Sequence, residues 1–212
     1  MIGVKICGLS TPETLDAAIR HGASHLGFVF FPPSPRHVVF DRAASLAARV
    51  PEQIINVGVF VDPDDALVEQ GVRAGNLGAI QLHKTSPERV AHLRTLSRVE
   101  TWAAVAIKTR SDLATSASYV GAADRLLFDA KTPDHAALPG GLGLRFDWSL
   151  LDGWNHALPW ALSGGLDADN VAEAINRTGA TLVDVSSGVE DEPGAKNVDK
   201  IAAFLQAVAR KR

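Results

Sequence analysis

A chain of 212 residues with a formal net charge of -3 suits one domain that can bury a substantial core. Its hydrophobic share of 46% and charged share of 21% are those of an ordinary globular protein, and its apolar runs are too short for a membrane span. The acid-leaning balance argues against nucleic acid as a partner, a single cysteine excludes an internal disulfide, and no Cys/His cluster has zinc spacing.

The opening MIGVKICGLS lacks the basic-then-apolar order of a secretory leader, so a cytoplasmic protein is expected. From there, β-rich runs alternate with helical stretches. The first strand is expected over 2–7 and the first helix over 12–21, behind Ser10-Thr11 and opened by Pro12. Further pairs follow: strand 25–31 with helix 41–49, strand 54–61 with helix 63–73, and strand 77–83 with helix 86–96. Strand 101–107 precedes helix 111–119, and strand 125–129 precedes a Gly- and Pro-rich loop over 130–143 with a short helix near 147–151. Strand 158–163 leads to helix 167–177, and strand 181–186 to helix 198–210. Eight such units with short connections imply parallel strands and right-handed crossovers. They close best as a single (β/α)8 TIM barrel over 1–212, with an irregular loop or short helix in place of a regular sixth helix.

Strand side chains alternate between two faces. Ile2, Val4 and Ile6 share the face that packs under helices, which turns Lys5 and Cys7 inward. The same test turns Gln81, His83, Asp129, Ser163, Asp184 and Ser186 inward. Polar or reactive groups thus end five strands where a structural barrel would carry Val, Ile or Leu, at the end where this fold places active sites. For one residue alone, a packed thiol or a helix-capping Asp remains the simpler reading. His83 either touches substrate or is a hydrogen-bonded interior histidine, and the second is favoured. Two glycine turns, Ser163-Gly164-Gly165 and Ser186-Ser187-Gly188, follow strands seven and eight, the usual phosphate position in this fold. The first is expected to lead into a helix whose N-terminus adds a favourable dipole.

These residues resemble the phosphoribosylanthranilate isomerase family from end to end. The likeness rests on Val4-Lys5-Ile6-Cys7-Gly8-Leu9, on Gly27-Phe28-Val29-Phe30 with Pro35-Arg36, on Gln81-Leu82-His83 and on Phe128-Asp129. It continues through Ser163-Gly164-Gly165-Leu166 and closes with Asp184-Val185-Ser186-Ser187-Gly188-Val189-Glu190, Pro193-Gly194 and Lys196. Lys84, Leu142 and Asn197 stand where the family often has Gly, Thr and Asp.

The resemblance implies an Amadori rearrangement of a phosphoribosyl anthranilate in tryptophan biosynthesis, with no metal or organic cofactor. It makes Cys7 the general base and Asp129 the general acid. It gives Arg36 the anthranilate carboxylate, and Gly164, Gly165, Ser186, Ser187 and Gly188 the phosphate; His83 and Asp184 complete the expected substrate site. The acid must stay protonated near neutral pH, which burial would favour, and the base should be largely thiolate, which a nearby cation would favour. Lys5 could supply that cation or could pair with Asp184. The only expected partner is a small phosphorylated substrate, for a protein that is a monomer or homodimer. Rival readings are another sugar-phosphate barrel isomerase and a non-catalytic barrel that binds a phosphorylated metabolite.

Overall fold

A computed structural model of the chain describes residues 2–133, 138–155 and 157–210. Eight strands form a closed barrel in sequential order. They are β1 (Gly3–Cys7), β2 (His25–Val29), β3 (Ile55–Val61), β4 (Ala79–His83), β5 (Glu100–Ile107), β6 (Arg125–Ala130), β7 (Trp160–Leu162) and β8 (Leu182–Val185). Every neighbouring pair is parallel, and β1 pairs with β8 to close the ring.

The helices are α1 (Pro12–Arg20), α2 (Phe40–Ala47), α3 (Asp65–Ala74), α4 (Pro87–Ser97), the short α5 (Arg110–Ala114), α6 (Val171–Thr178) and α7 (Val198–Ala209). Side chains of Thr11, Asp64, Ser86 and Asn197 cap α1, α3, α4 and α7 by accepting from N–H groups of the first turn. Pro12 and Pro87 sit where a missing N–H is harmless. None of the described helices is long and apolar enough to cross a membrane.

Between β6 and β7 the expected irregular stretch is present. It ends in a 3-10 turn over Trp148–Leu151, although residues 134–137 of the expected loop lie outside the described residues.

Two layers of core follow from the strand alternation. Outward residues such as Val4, Ile6, Leu126, Phe128, Val183 and Val185 pack under the helices. Inward residues Val57, Ala79, Trp102, Leu127, Ala161 and Leu182 fill the lower barrel. Trp102 plugs this layer, with the His25 ring edge-on at 5.5 Å and the Arg125 guanidinium over its face. Above it Cys7, Val29 and Val59 begin the mouth.

Three expectations are corrected. Strand eight ends at Val185, so Ser186 starts the following turn rather than ending the strand. Helix α6 begins at Val171, four residues later than expected, because Asp167 and Asn170 fold the intervening turn. The Asp167 carboxylate accepts from the N–H groups of Asp169 and Asn170, and Asn170 donates to the Gly165 carbonyl. The first glycine turn therefore does not abut a helix N-terminus. Finally, an antiparallel ribbon of β9 (Glu190–Glu192) and β10 (Ala195–Lys196) follows a 3-10 turn at Ser187–Val189, where the sequence suggested only loop.

Candidate active site

The inward side chains converge on a cavity of about 790 Å³, counted to its open mouth, at the C-terminal end of the barrel. Cys7, Arg36, His83, Asp129, Gly164, Gly165, Asp184, Ser186 and Ser187 all line it, so nine of the ten anticipated site residues meet in one place. Gly188 does not. A Cβ there would lie 1.9 Å from the Leu166 carbonyl oxygen, so Gly188 lets the two glycine turns touch.

Cys7 ends β1 beside Gly27 of β2, its register partner. A Cβ on Gly27 would stand 2.9 Å from Cys7 Cα and 3.1 Å from Sγ, so the missing side chain makes room for the thiol. One layer deeper, the fully buried Lys5 donates to Asp184 at 2.8 Å, and Ser163 Oγ donates to the other carboxylate oxygen at 3.2 Å. Lys5 and Asp184 are register partners across the β1–β8 seam.

The alternatives left open for Lys5 are thereby not exclusive. Burial works against its charge, but Asp184 and then Cys7 outweigh this and hold the ammonium above its ordinary value. For Cys7 the balance goes the other way. Burial pushes the thiol up, and the pull of Lys5, countered by Asp184, does not reverse it. The expected thiolate is therefore not the resting form of the free site.

Asp129 lies one residue before the end of β6 and lines the same cavity. Its Oδ1 accepts from the Ala130 N–H at 2.8 Å, while Gly140 of the loop stands against Oδ2. Burial, reinforced by the Asp184 charge, raises its pKa from 3.8 to about 7, so the acid form persists near neutrality as expected. His83 is neutral at that pH, because burial and then Lys5 lower its pKa to about 4. Its Nε2 lies 2.8 Å from the Gln81 amide nitrogen, so it is a hydrogen-bonded interior histidine that also faces the cavity.

Arg36 follows β2 and is almost entirely enclosed. Its Nε and Nη2 donate to both oxygens of Glu190 at 2.8 and 2.7 Å, and Nη2 also donates to the Gly141 carbonyl at 2.9 Å. Lys196 Nζ donates to the same carboxylate and to Ser186. Sequence reasoning gave Glu190 and Lys196 no role, since the short ribbon that carries them shows no periodic signal. Two charged residues six apart around Pro193-Gly194 were the available clue. Among the described residues no group of three or more His, Cys, Asp or Glu is placed to hold a metal.

A cavity lined by a carboxyl whose pKa is raised to about 7, by a thiol and by glycine turns at β7 and β8 is equipped for proton transfer on a phosphorylated substrate. Residues 4–207 match the family model described as N-(5'phosphoribosyl)anthranilate (PRA) isomerase. The chain belongs to this isomerase family. Among curated relatives, the N-(5'-phosphoribosyl)anthranilate isomerase of Zymomonas mobilis subsp. pomaceae is 56% identical over 209 residues, 98% of each chain. That of Rhodospirillum centenum is 52% identical over 98% of each chain. Among solved structures, the phosphoribosyl anthranilate isomerase of Thermotoga maritima aligns with a TM-score of 0.87 at 32% identity, over 99% of this chain and 100% of that one. A second isomerase, in complex with reduced 1-(o-carboxyphenylamino)-1-deoxyribulose 5-phosphate, aligns at 0.84 and 30% identity over 99% and 100%.

Proposed function

We propose that the chain carries out its family's reaction in tryptophan biosynthesis by acid–base catalysis between Asp129 and Cys7. N-(5-phospho-β-D-ribosyl)anthranilate becomes 1-(2-carboxyphenylamino)-1-deoxyribulose 5-phosphate. The observation that carries the assignment of roles is the placement of Cys7 and Asp129 in the lining of one cavity, with the pKa of Asp129 raised to about 7.

The Asp129 proton goes to the furanose ring oxygen, and the ring opens to a Schiff base. The Cys7 thiolate then takes the C2′ proton, and the resulting enolamine tautomerises to the ketone. Burial that raises a thiol's pKa also makes its thiolate a stronger base once formed. Lys5 and Lys196 are the cations that favour the thiolate. The chemistry converts thiolate plus acid into thiol plus carboxylate, the favoured pairing when the site holds a single proton, because the thiol's pKa lies above that of Asp129.

The glycine turns at β7 and β8 hold the phosphate, with the Ser187–Val189 turn as the short extra helix common at this position. Arg36, in the lining of the same cavity, meets the anthranilate carboxylate. We also place the reaction in the cytoplasm, where charged, phosphorylated intermediates are retained.

The test is turnover. The wild-type chain should restore growth of a tryptophan auxotroph lacking this isomerase. Cys7→Ser and Asp129→Asn should each lose at least about 100-fold in kcat, the usual range for removing a general acid or base. Near-normal turnover in either variant removes that residue from the mechanism.

A further inference from the structure

Arg36 has five N–H donors in a rigid fork. Three of them are occupied in this structure, Nε–H and one N–H of Nη2 by Glu190 and the other N–H of Nη2 by the Gly141 carbonyl. The two hydrogens of Nη1 have no partner among the described residues, and Arg36 lines the cavity. Glu190 has therefore taken the face of the guanidinium that ordinarily grips a carboxylate with two parallel hydrogen bonds.

The carboxylate is itself firmly placed. Side chains of Arg36, Glu190 and Lys196 are 5%, 4% and 1% exposed. Glu190 and Lys196 are register partners across the β9–β10 ribbon. The turn of that ribbon brings Gly194, at φ +90, so close to the Pro35 carbonyl that a Cβ would lie 2.6 Å from it. The ribbon thus fixes the loop holding Arg36 twice, at the backbone of Pro35 and at the guanidinium. Lys196 extends the chain of contacts to Ser186, whose hydroxyl donates to the Cys7 carbonyl. The cluster of two cations and one anion has one net positive charge, matched to one incoming anionic group.

We propose that Glu190 is a positioning residue for the isomerisation: it occupies the fork of Arg36 and leaves Nη1 alone to meet the substrate's aromatic carboxylate end-on. The inference rests on the reading of Arg36 as the carboxylate contact. Glu190 does not touch substrate. Its effect is on where the carboxylate, and so the C2′ proton, comes to rest relative to Cys7.

Glu190→Gln leaves Arg36, which lines the cavity, and the adjoining Lys196 without their counterion, so an anionic substrate should bind no more weakly than before. The fork is then open to grip the carboxylate differently, and a displacement on the order of 1 Å at the reacting atoms can slow chemistry about 100-fold. The expected result is a kcat lower by about 10- to 100-fold with an unchanged or lower KM. Arg36→Ala should instead chiefly raise KM, because it removes a binding contact. Glu190→Asp keeps the charge but withdraws it by one methylene, and it serves if the Gln variant folds poorly. It should lower kcat with KM unchanged.

Each variant is assayed with the natural substrate and with the anilino analogue that lacks the carboxylate. With the analogue, both Glu190 variants should match wild type within about threefold, since Arg36 then has nothing to hold. An equal loss of kcat on both substrates would show that Glu190 only supports the fold, and would overturn the proposal. So would an unchanged kcat on the natural substrate. If Arg36→Ala treats the two substrates alike, the reading of Arg36 itself has failed, and the proposal falls with it for that separate reason.

Discussion

Replacing Asp129 with Asn should make the protein more stable while abolishing its chemistry, and the gain should depend on pH. The buried carboxyl has a folded pKa of about 7 against 3.8 for the free group. Below about pH 4 it is neutral in both the folded and the unfolded chain, so it contributes no difference. Between about pH 4 and 7 the unfolded chain gives up this proton and the folded chain keeps it, so stability falls as pH rises. Above about pH 7 both forms are ionised and the full penalty remains. About three pH units at 1.36 kcal/mol each make that penalty about 4 kcal/mol, an upper figure worth roughly 10 °C in Tm for a domain of this size. An Asn at this position still accepts from the Ala130 N–H, carries no charge toward Asp184 and so escapes the penalty. Urea unfolding of wild type and Asp129→Asn at pH 4 and pH 8 measures it. The variant should equal wild type at the lower pH and exceed it at the higher. An advantage that fails to grow between the two would refute the view that burial, together with the Asp184 charge, keeps this acid protonated.

The pH profile of turnover should carry the mark of a thiol that holds its proton in the free site. Thiolate plus acid contains the same number of protons as thiol plus carboxylate, so the productive form is the singly protonated pair. With Asp129 near 7 and Cys7 raised, kcat/KM should rise through about pH 7 and fall only above the thiol's own elevated value. A kcat/KM that instead falls through pH 7 would mean that Cys7 is already a thiolate there. Lys5→Met leaves Asp184 charged and unpaired in the interior, which should destabilise the fold by about 3–5 kcal/mol in urea titrations. A second change, Asp184→Asn, should recover most of that loss, and a Lys5→Met effect below about 1 kcal/mol would argue against the pair. Gly27→Ala pushes a methyl group to within 2.9 Å of the Cys7 backbone, so it should lower stability by about 1–3 kcal/mol and slow alkylation of the displaced thiol; wild-type values in both would contradict the crowding.

Much of this site was readable from strand alternation, and the reason is geometric. A period of two leaves no freedom once one face is buried, so Ile6 packed under a helix turns Cys7 into the barrel, and Phe128 does the same for Asp129. What alternation cannot express is the sum of opposing charges at a point. Whether Lys5 makes Cys7 a thiolate depends on burial and on Asp184, which arrives from the far end of the chain. Short irregular pieces also escape periodic reading. The sequence places a helix from Asp167, yet the carboxylate of that residue closes a turn and the helix waits for Val171. The β9–β10 ribbon, with a strand of only two residues, has no period to detect, so the partner of Arg36 stayed hidden.

The seam between β1 and β8 has a consequence for synthesis on the ribosome. Lys5 is made before its counterion, which lies 179 residues later. Until β8 docks, the nascent barrel holds an ammonium on β1 that it cannot bury, and the wall beside Cys7 is missing. Partial chains thus have a reason to stay open at this edge, and the thiol gains its electrostatic setting only in the step that closes the ring.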